Sequence, residues 1–325
     1  RYEPSEIADK VKEAGIVGQG GAAFPTYVKL LRNEQKPVDT VLVNGCECEP
    51  YLTSDHRVMV EAAGAVVTGA LLAARAAGAE RTIVAIEDNK PDAVEAMRRA
   101  AEGVPVQVAV LETKYPMGGE KQTVRAVLGR TIPTGGLPLD VGVVVINVGT
   151  ASAIARAVLR GKPLTHRVVS VTGAGIRRPG NLLVPIGAPI AGLMEACEGL
   201  TEDAARVLAG GPMMGFALSR LDVPVTKGTS GIVALTEEDV ARSRETACVR
   251  CGRCVDVCPL NLVPSRLAMA SRRHAWERAR GDHIQACMEC GCCAYACPAS
   301  IPLVQLIRMG KAELIKEDRE KSASS

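Results

Sequence analysis

Two cysteine runs of identical spacing constrain this chain more than any other feature. The first is Cys248-x2-Cys251-x2-Cys254-x3-Cys258 followed by Pro259, and the second is Cys287-x2-Cys290-x2-Cys293-x3-Cys297 followed by Pro298. Three thiolates on one tight loop can hold three corners of a four-iron cubane. A fourth cysteine past the turn, its exit fixed by proline, supplies a further corner. The spacing is that of bacterial domains with two [4Fe-4S] clusters, in which the fourth cysteine of each run ligates the other cluster. It assigns Cys248, Cys251, Cys254 and Cys297 to one cluster, and Cys287, Cys290, Cys293 and Cys258 to the other. Structural zinc takes four ligands, typically from two paired knuckles, and does not explain two runs of four. A disulfide scaffold is disfavoured as well: nine of the 12 cysteines, eight of them in the two runs, crowd into one stretch of a 325-residue chain, not across a short secreted one. Gly252 and Gly291 lie inside the loops, where backbone N–H groups can point at cluster sulfides. Cys292 falls outside the spacing and reads as a neighbouring thiol. Two clusters in one domain form a one-electron wire, so the remaining chain must supply electrons or receive them.

That remainder is long enough for two or three domains, and an apolar content of 47% can build a large core. With 39 basic against 36 acidic residues the net charge is +3, which excludes nucleic-acid binding by bulk positive charge. Aromatic residues at 2% leave few tools for stacking on bases. The N-terminus carries Arg1, Glu3, Glu6, Asp9 and Lys10 around Pro4, unlike a signal peptide. The apolar stretch 58–74 contains Glu61, is followed by Arg75, and is rich in Ala and Gly. It reads as a buried helix and not as a span of about 20 apolar residues. The chain reads as soluble or peripheral, and because it starts at Arg1 further residues are expected upstream.

The first half alternates between strand and helix patterns. Strands are predicted at 40–43, 81–86, 104–111 and 141–148, and helices at 26–31, 56–77, 91–101, 120–128 and 150–159. Near-continuous apolar strands alternating with helices predict an α/β layer with a mostly parallel sheet. After about residue 163 the pattern changes to short strands at 167–172, 181–185 and 206–208, separated by Gly- and Pro-rich turns, with a short helix at 189–197. This is a small α+β module. A charged connecting helix is predicted at 237–245 and a longer helix at 265–280, and the polar tail after Lys316 is expected to fray.

Four loops sit where a parallel sheet places its ligands. Gly18-Gln19-Gly20-Gly21-Ala22-Ala23-Phe24-Pro25 precedes a helix, so free N–H groups there suit a phosphate. No clear strand precedes it, unlike the usual dinucleotide fingerprint, and a glycine-rich turn is often only a turn. Asn44-Gly45-Cys46-Glu47-Cys48-Glu49-Pro50 ends the first strand; its two acids can accept hydrogen bonds from ribose or a flavin ring, or can simply be solvated. Tyr115-Pro116-Met117-Gly118-Gly119-Glu120-Lys121 opens another helix, and Asn147-Val148-Gly149-Thr150 ends the last strand. Together they favour a nucleotide-like cofactor more than any one of them does.

These loops, in this order, resemble the FMN- and NADH-binding subunit of respiratory complex I, whose first loop reads close to GRGGAGFP. Taken with VTGAGIRRPGNLLVPIG, GGPMMG and the double cysteine run, the chain is more similar still to the RnfC family. That family contributes the NADH-oxidising subunit of ion-translocating ferredoxin:NAD oxidoreductases. The resemblance covers nearly the whole chain. It implies an α/β Rossmann-like FMN/NAD domain at 1–163, a small α+β β-grasp (SLBB) domain at 164–235, and an α-helical two-cluster ferredoxin domain at 236–325. On matched positions it implies that Gly18, Gly20, Gly21, Ala22 and Lys29 cradle FMN and that Phe24 lies against the nicotinamide side. Asn44 and Glu47 would contact the flavin and Glu49 the NADH, with Tyr115, Gly118, Glu120, Asn147 and Thr150 closing the site. Gln19 stands where the complex I flavoprotein has Arg, and Cys46 where it has Asp.

The implied cofactors are FMN, NAD(H) and two [4Fe-4S] clusters. The implied partners are the membrane subunits of an Rnf-type complex, reached from the cytoplasmic face of a bacterial membrane. A soluble flavin/iron–sulfur reductase of the corrinoid reductase type shares much of this architecture, and a relay scaffold that has lost its flavin is a third reading. The family also carries a small barrel-sandwich domain before the first motif, expected to be missing here. No role is assigned to Cys46, Cys48, Cys197 or Cys292.

Overall fold

A computed structural model describes residues 2–240 and 244–323. Two compact units divide the chain, 1–240 and 241–325.

The first unit opens with α1 (Pro4–Glu13) and α2 (Thr26–Leu30). Then follow β1 (Thr40–Gly45), α3 (Ser54–Glu61), α4 (Ala63–Ala77), β2 (Arg81–Glu87), α5 (Pro91–Ala100), β3 (Gln107–Leu111), α6 (Glu120–Leu128), β4 (Val143–Asn147) and α7 (Val148–Arg160). The four strands form one all-parallel sheet in the order β3-β2-β1-β4. Strands β1, β2 and β4 are covered on both faces, as their unbroken apolar runs require, while edge strand β3 is only half-buried. Val41, Val43, Val84, Ile86, Val144 and Ile146 share one core with α1, α4, α5 and α7. Leu42, Ile83, Ala85, Val143 and Val145 face the other way onto Val124 of α6. On the larger side α4 lies directly against α7. A Cβ at Gly69 would stand 1.7 Å from the Ala151 carbonyl oxygen, so only glycine permits that approach.

The predicted helix at 56–77 is two helices, α3 and α4, bent by 94°. Ala62 breaks it with φ −130°, and Gly64 just beyond weakens any continuation. No single helix among the described residues is long and apolar enough to cross a membrane. The predicted strand at 104–111 begins only at Gln107, because Pro105 has no N–H to give a ladder. Helix α1 had no expectation attached to it; Pro4 opens it, and Ile7, Ala8 and Val11 are buried along one face.

A second sheet follows: β5 (His166–Thr172), β6 (Gly180–Pro185), α8 (Ile190–Ala196), β7 (Ala204–Ala209), β8 (Phe216–Ala217) and β9 (Gly231–Thr236). Its order is β6-β5-β9-β7-β8, with β9 parallel to β5 and antiparallel to β7. The last strand in sequence thus sits in the centre, and all six of its residues are buried. The sequence pattern predicts no strand there. Helix α8 packs on this sheet through Ile190, Leu193 and Met194.

In the second unit α9 (Arg253–Asp256), α10 (Pro264–Arg272), α11 (Trp276–Gly281), α12 (Cys292–Tyr295) and α13 (Leu303–Ala323) enclose a small core around Leu267, Ile284, Ile307 and Leu314. The predicted connecting helix at 237–245 is not formed by its described residues. Residues 237–240 make a turn held by Asp239, whose carboxylate accepts from the Thr236 N–H and hydroxyl, while 241–243 lie outside the described residues. The predicted helix at 265–280 is two helices parted at His274, whose φ is +54°. The tail expected to fray is helical through Ala323, braced where Arg280 meets Asp318 at 2.9 Å.

Candidate flavin and iron–sulfur sites

At the carboxyl edge of the first sheet the loops described above meet. The loop 18–25 is closed at its base, where Gly18 N donates to Phe24 O at 2.8 Å. It is fastened to the start of α7 by Gln19, which donates from its backbone N to Thr150 Oγ1 and from Nε2 to Gly149 O, both at 2.9 Å. Asn147 caps α7, accepting from Gly149 N at 2.8 Å, and lies beside Gly20, whose Cβ would sit 3.6 Å from that of Asn147. Gly21 has φ +106° with open space where a Cβ would be.

Beyond the base of the loop, Gly20, Gly21 and Ala22 are exposed, and among the described residues none accepts a hydrogen bond from their N–H groups. Three unpartnered donors beside a helix N-terminus are what a phosphate needs. The residues present therefore fit a phosphate-bearing cofactor.

Across the edge, the β1 and β3 loops are fastened together. Asn44 Nδ2 donates to Gly118 O at 2.8 Å, and Gly118 N donates to Cys48 Sγ at 3.2 Å. A Cβ at Gly118 would stand 2.3 Å from Cys46 O, so that position requires glycine. Lys29 reaches from α2 to Glu120 at 2.6 Å and to Val145 O at 3.0 Å. Phe24 is 46% exposed at the rim. Burial pushes the Cys46 thiol up and Cys48 up to about 11, so both are protonated at neutral pH and neither is a ready nucleophile.

The two acids of the β1 loop have defined partners. Glu47 caps α3, accepting from Ser54 Oγ at 3.1 Å and from Asp55 N and His56 N at 3.0 Å. Glu49 accepts from Met213 N at 2.7 Å, from Met214 N at 3.0 Å and from the Tyr115 hydroxyl at 3.4 Å. Burial raises its pKa, against the pull of those donors. Glu49 thereby pins the β1 loop to the GGPMMG turn of the second sheet.

Four further residues were not singled out from the sequence. Asp55 accepts from Asn147 Nδ2 at 2.5 Å and is pushed up to about 7 by burial and then by the Glu47 carboxylate. Arg167 is 3% exposed on β5 and donates to Gln19 O at 3.2 Å. Glu87 and Lys90 form a buried ion pair at 3.1 Å beneath Cys46 and Cys48. An apolar run ending in Glu87, with Lys90 three residues on, was the available signal for that pair.

The cysteine runs fold as two copies of one motif. Arg250 and Glu289 have φ +56° and +59°, Gly252 and Gly291 +81° and +86°, and Asn261 and Ser300 +54° and +50°, at matching positions of each run. Cys258 lines one cavity of about 350 Å³ with Cys287, Cys290 and Cys293, and Cys292 stands in the same wall. Burial first, and neighbouring thiols including Cys258 after it, raise Cys290 and Cys293 to about 12, so Cys258 lies near both. The thiols ring this space and do not converge on a point: among the described residues no group of three or more such side chains is placed for a single ion. Thiols around a space, five of them with Cys292 counted, suit a cluster with ligands at its corners better than a single ion. Near the other run, α9 packs against α12, and Thr246 N donates to Ala299 O at 3.0 Å, drawing the chain before Cys248 to the exit of Cys297. Both contacts bring the two runs close to each other. Glu289, between Cys287 and Cys290, is held by Arg308 at 2.9 Å and Lys311 at 2.5 Å.

Residues 11–156 match the model of the Nuo51 FMN-binding domain, 168–217 that of the SLBB domain, and 244–301 that of a 4Fe-4S dicluster domain. Fold and matches together define an iron–sulfur flavoprotein of the electron-transport type, with an FMN domain and two [4Fe-4S] clusters. A crystal structure of an NAD+-reducing [NiFe]-hydrogenase in its H2-reduced state shares the fold, with a TM-score of 0.67 at 20% identity over 98% of this chain and 67% of that one. The C subunit of the proton-translocating ferredoxin:NAD(+) oxidoreductase complex of Clostridium ljungdahlii is 48% identical, across 86% of this chain and 61% of the relative. Its Na(+)-translocating counterpart from Acetobacterium woodii is 46% identical, across 97% of this chain and 71% of the relative. The chain belongs to this family, the C subunits of ion-translocating ferredoxin:NAD(+) oxidoreductase complexes. It spans about 60–70% of the length of these two relatives.

Proposed function

We propose that this chain exchanges hydride with NAD(H) at an FMN and passes single electrons through two [4Fe-4S] clusters to the membrane subunits of an Rnf-type complex. The observation that carries this reading is 46% identity over 97% of the chain to the Acetobacterium woodii relative, a component of a Na(+)-translocating ferredoxin:NAD(+) oxidoreductase complex. It favours the Rnf reading over the corrinoid reductase one. FMN, when bound, supplies the conversion between two-electron and one-electron transfer.

The protein's part is to bind and orient. The unpartnered N–H groups of Gly20, Gly21 and Ala22 support a phosphate grip, with Gly18 and Thr150 holding the loop's base. Asn44, Gly118 and Asn147, with the Lys29–Glu120 pair, support a wall for the ring. Phe24 at the rim and Glu49 with Tyr115 support a nicotinamide side, and Glu47, tied to α3, supports the flavin side. The three functional domains are taken as 1–163, 164–235 and 236–325, consistent with α7 ending at Arg160 and β5 starting at His166. Association with the cytoplasmic face of the membrane would be peripheral and through partners.

The test is anaerobic reconstitution followed by FMN, iron and sulfide assays and NADH:ferricyanide activity, repeated with Glu49→Ala and Phe24→Ala. The reading expects flavin and iron on the purified chain, bleaching by NADH, and lower activity in both variants. A reconstituted chain that holds no flavin and does not bleach with NADH refutes it.

A further inference from the structure

Away from the glycine loop's open face, a second cavity of about 420 Å³ lies between α7 and the edge formed by β5 and β6. Gly149, Ser152, Ala153 and Arg156 line it, so it runs along two turns of one face of α7. Three of those residues are small, which lets a ligand approach the helix closely.

The charge of this cavity is one-sided. Every charged residue in its wall is cationic or can become so: Arg156, Lys162, His166 and Arg167. Among the described residues no carboxylate pairs with Arg156 or Lys162, which are exposed at the rim. Arg167 is 3% exposed and fixed in place, donating to Gln19 O at 3.2 Å and to Lys227 O. Its charge is offset only in part by Asp55, which is itself raised to about 7 and does not line the cavity. Like charges gathered in a partly enclosed space repel one another and hold a positive potential there until an anion enters. Half-buried Val58 and Val168 add apolar wall, and Leu183 beside them is 62% exposed.

We propose that this cavity is a binding site for a soluble phosphorylated small molecule, its phosphoryl group between Arg156 and Lys162 and its apolar body against Val168 and Leu183. Gly20, Gly21, Asn44 and Gly118 do not line it, so it is separate from the flavin cradle. It touches that cradle from behind through Gln19, which is both a wall of the cavity and the residue that fastens the glycine loop to α7. The ligand is therefore placed to act as an effector on the loop.

The test uses the full chain with saturating FMN and NAD+, so that both cofactor positions are filled. Phenyl phosphate is titrated by calorimetry, with inorganic phosphate alongside. The expected result is one saturable site, tighter for phenyl phosphate than for phosphate, because only the former has a body for the apolar wall. Arg156→Glu/Lys162→Glu, at two exposed positions, weakens binding at least tenfold with an unchanged melting profile. Leu183→Glu, also exposed, weakens it by a separate route. Absence of saturable binding overturns the proposal, as does binding unchanged in both variants. Association with phosphatidylglycerol vesicles but not with phenyl phosphate overturns it too, because the ligand would then be a lipid headgroup.

Discussion

Replacing Lys90 with methionine isolates one buried charge beneath the cofactor loops. Glu87 ends β2 at 0% exposure and Lys90 is 7% exposed, 3.1 Å away. Glu87 Oε1 has no hydrogen-bond partner, so the ammonium on Oε2 is the main compensation for a carboxylate removed from water. Breaking a buried pair from one side costs about 3–5 kcal/mol, because it strands the other charge. In a domain of 150–250 residues each kcal/mol moves Tm by about 2–4 °C, so Lys90→Met should lower the melting temperature of the first unit by about 6–20 °C. Lys90 also donates to Glu47 O at 3.4 Å and to Asn89 Oδ1 at 2.9 Å, so the β1 loop loosens with it. Far-UV circular dichroism follows the whole chain. Trp276, the single tryptophan, reports on the second unit separately. Glu87→Gln/Lys90→Met removes both charges and should recover most of the loss, since neutral isosteres at a buried pair are often close to neutral in stability. A Lys90→Met protein within about 1 kcal/mol of the parent, or a double variant worse than the single, refutes the view that Lys90 is the main compensation for Glu87.

Three further outcomes follow from the geometry. Gly118→Ala drives a Cβ to within 2.3 Å of Cys46 O and should push the two loops apart, lowering flavin retained per chain at least tenfold as read by absorbance after desalting. Cys258→Ser should take bound iron from about eight to about four atoms per chain, whereas Cys292→Ala should leave about eight; equal losses in iron and sulfide assays would contradict the ligand assignment. Asp55 is raised from 3.8 to about 7, so between those values the folded chain keeps a proton that the unfolded chain has released. This contribution to stability is full at the acid end and lost as pH rises through about 7, and Asp55→Asn should flatten that decline in thermal melts taken at pH 5 and pH 8.

What could be read directly from the sequence was local. The cysteine spacing and the glycines within it encode their loop by themselves, and the two runs adopt matching backbone angles from Arg250 and Glu289 onward. The parallel strands were legible because burial on both faces leaves an unbroken apolar run. The centre of the second sheet was not. Strand β9 follows a long irregular stretch and pairs with β5, some sixty residues earlier, a partner no local pattern announces. His274 breaks a helix without glycine or proline, so the predicted 265–280 helix looked continuous.

The site residues divide along the same line. Glu47 and Glu49 are two residues apart on one loop and look equivalent as candidate ligands. Local folding gives Glu47 its partners, the N–H groups of Asp55 and His56 at the start of α3, where an anion is favoured by the helix terminus. Glu49 takes its partners from Met213 and Met214, more than 160 residues away on the second sheet. The difference sets what each can do for a ligand. Releasing Glu47 would uncap a helix close by in sequence, so it suits a fixed role behind the ring. Glu49 is held by one turn of another sheet and by a long contact from Tyr115 at 3.4 Å, so one of its oxygens can turn to a new donor while the other keeps its two backbone bonds. On that argument, of the two acids, Glu49 is the one whose hydrogen bonding can change when a nicotinamide nucleotide arrives, and the GGPMMG turn is the element that would sense it.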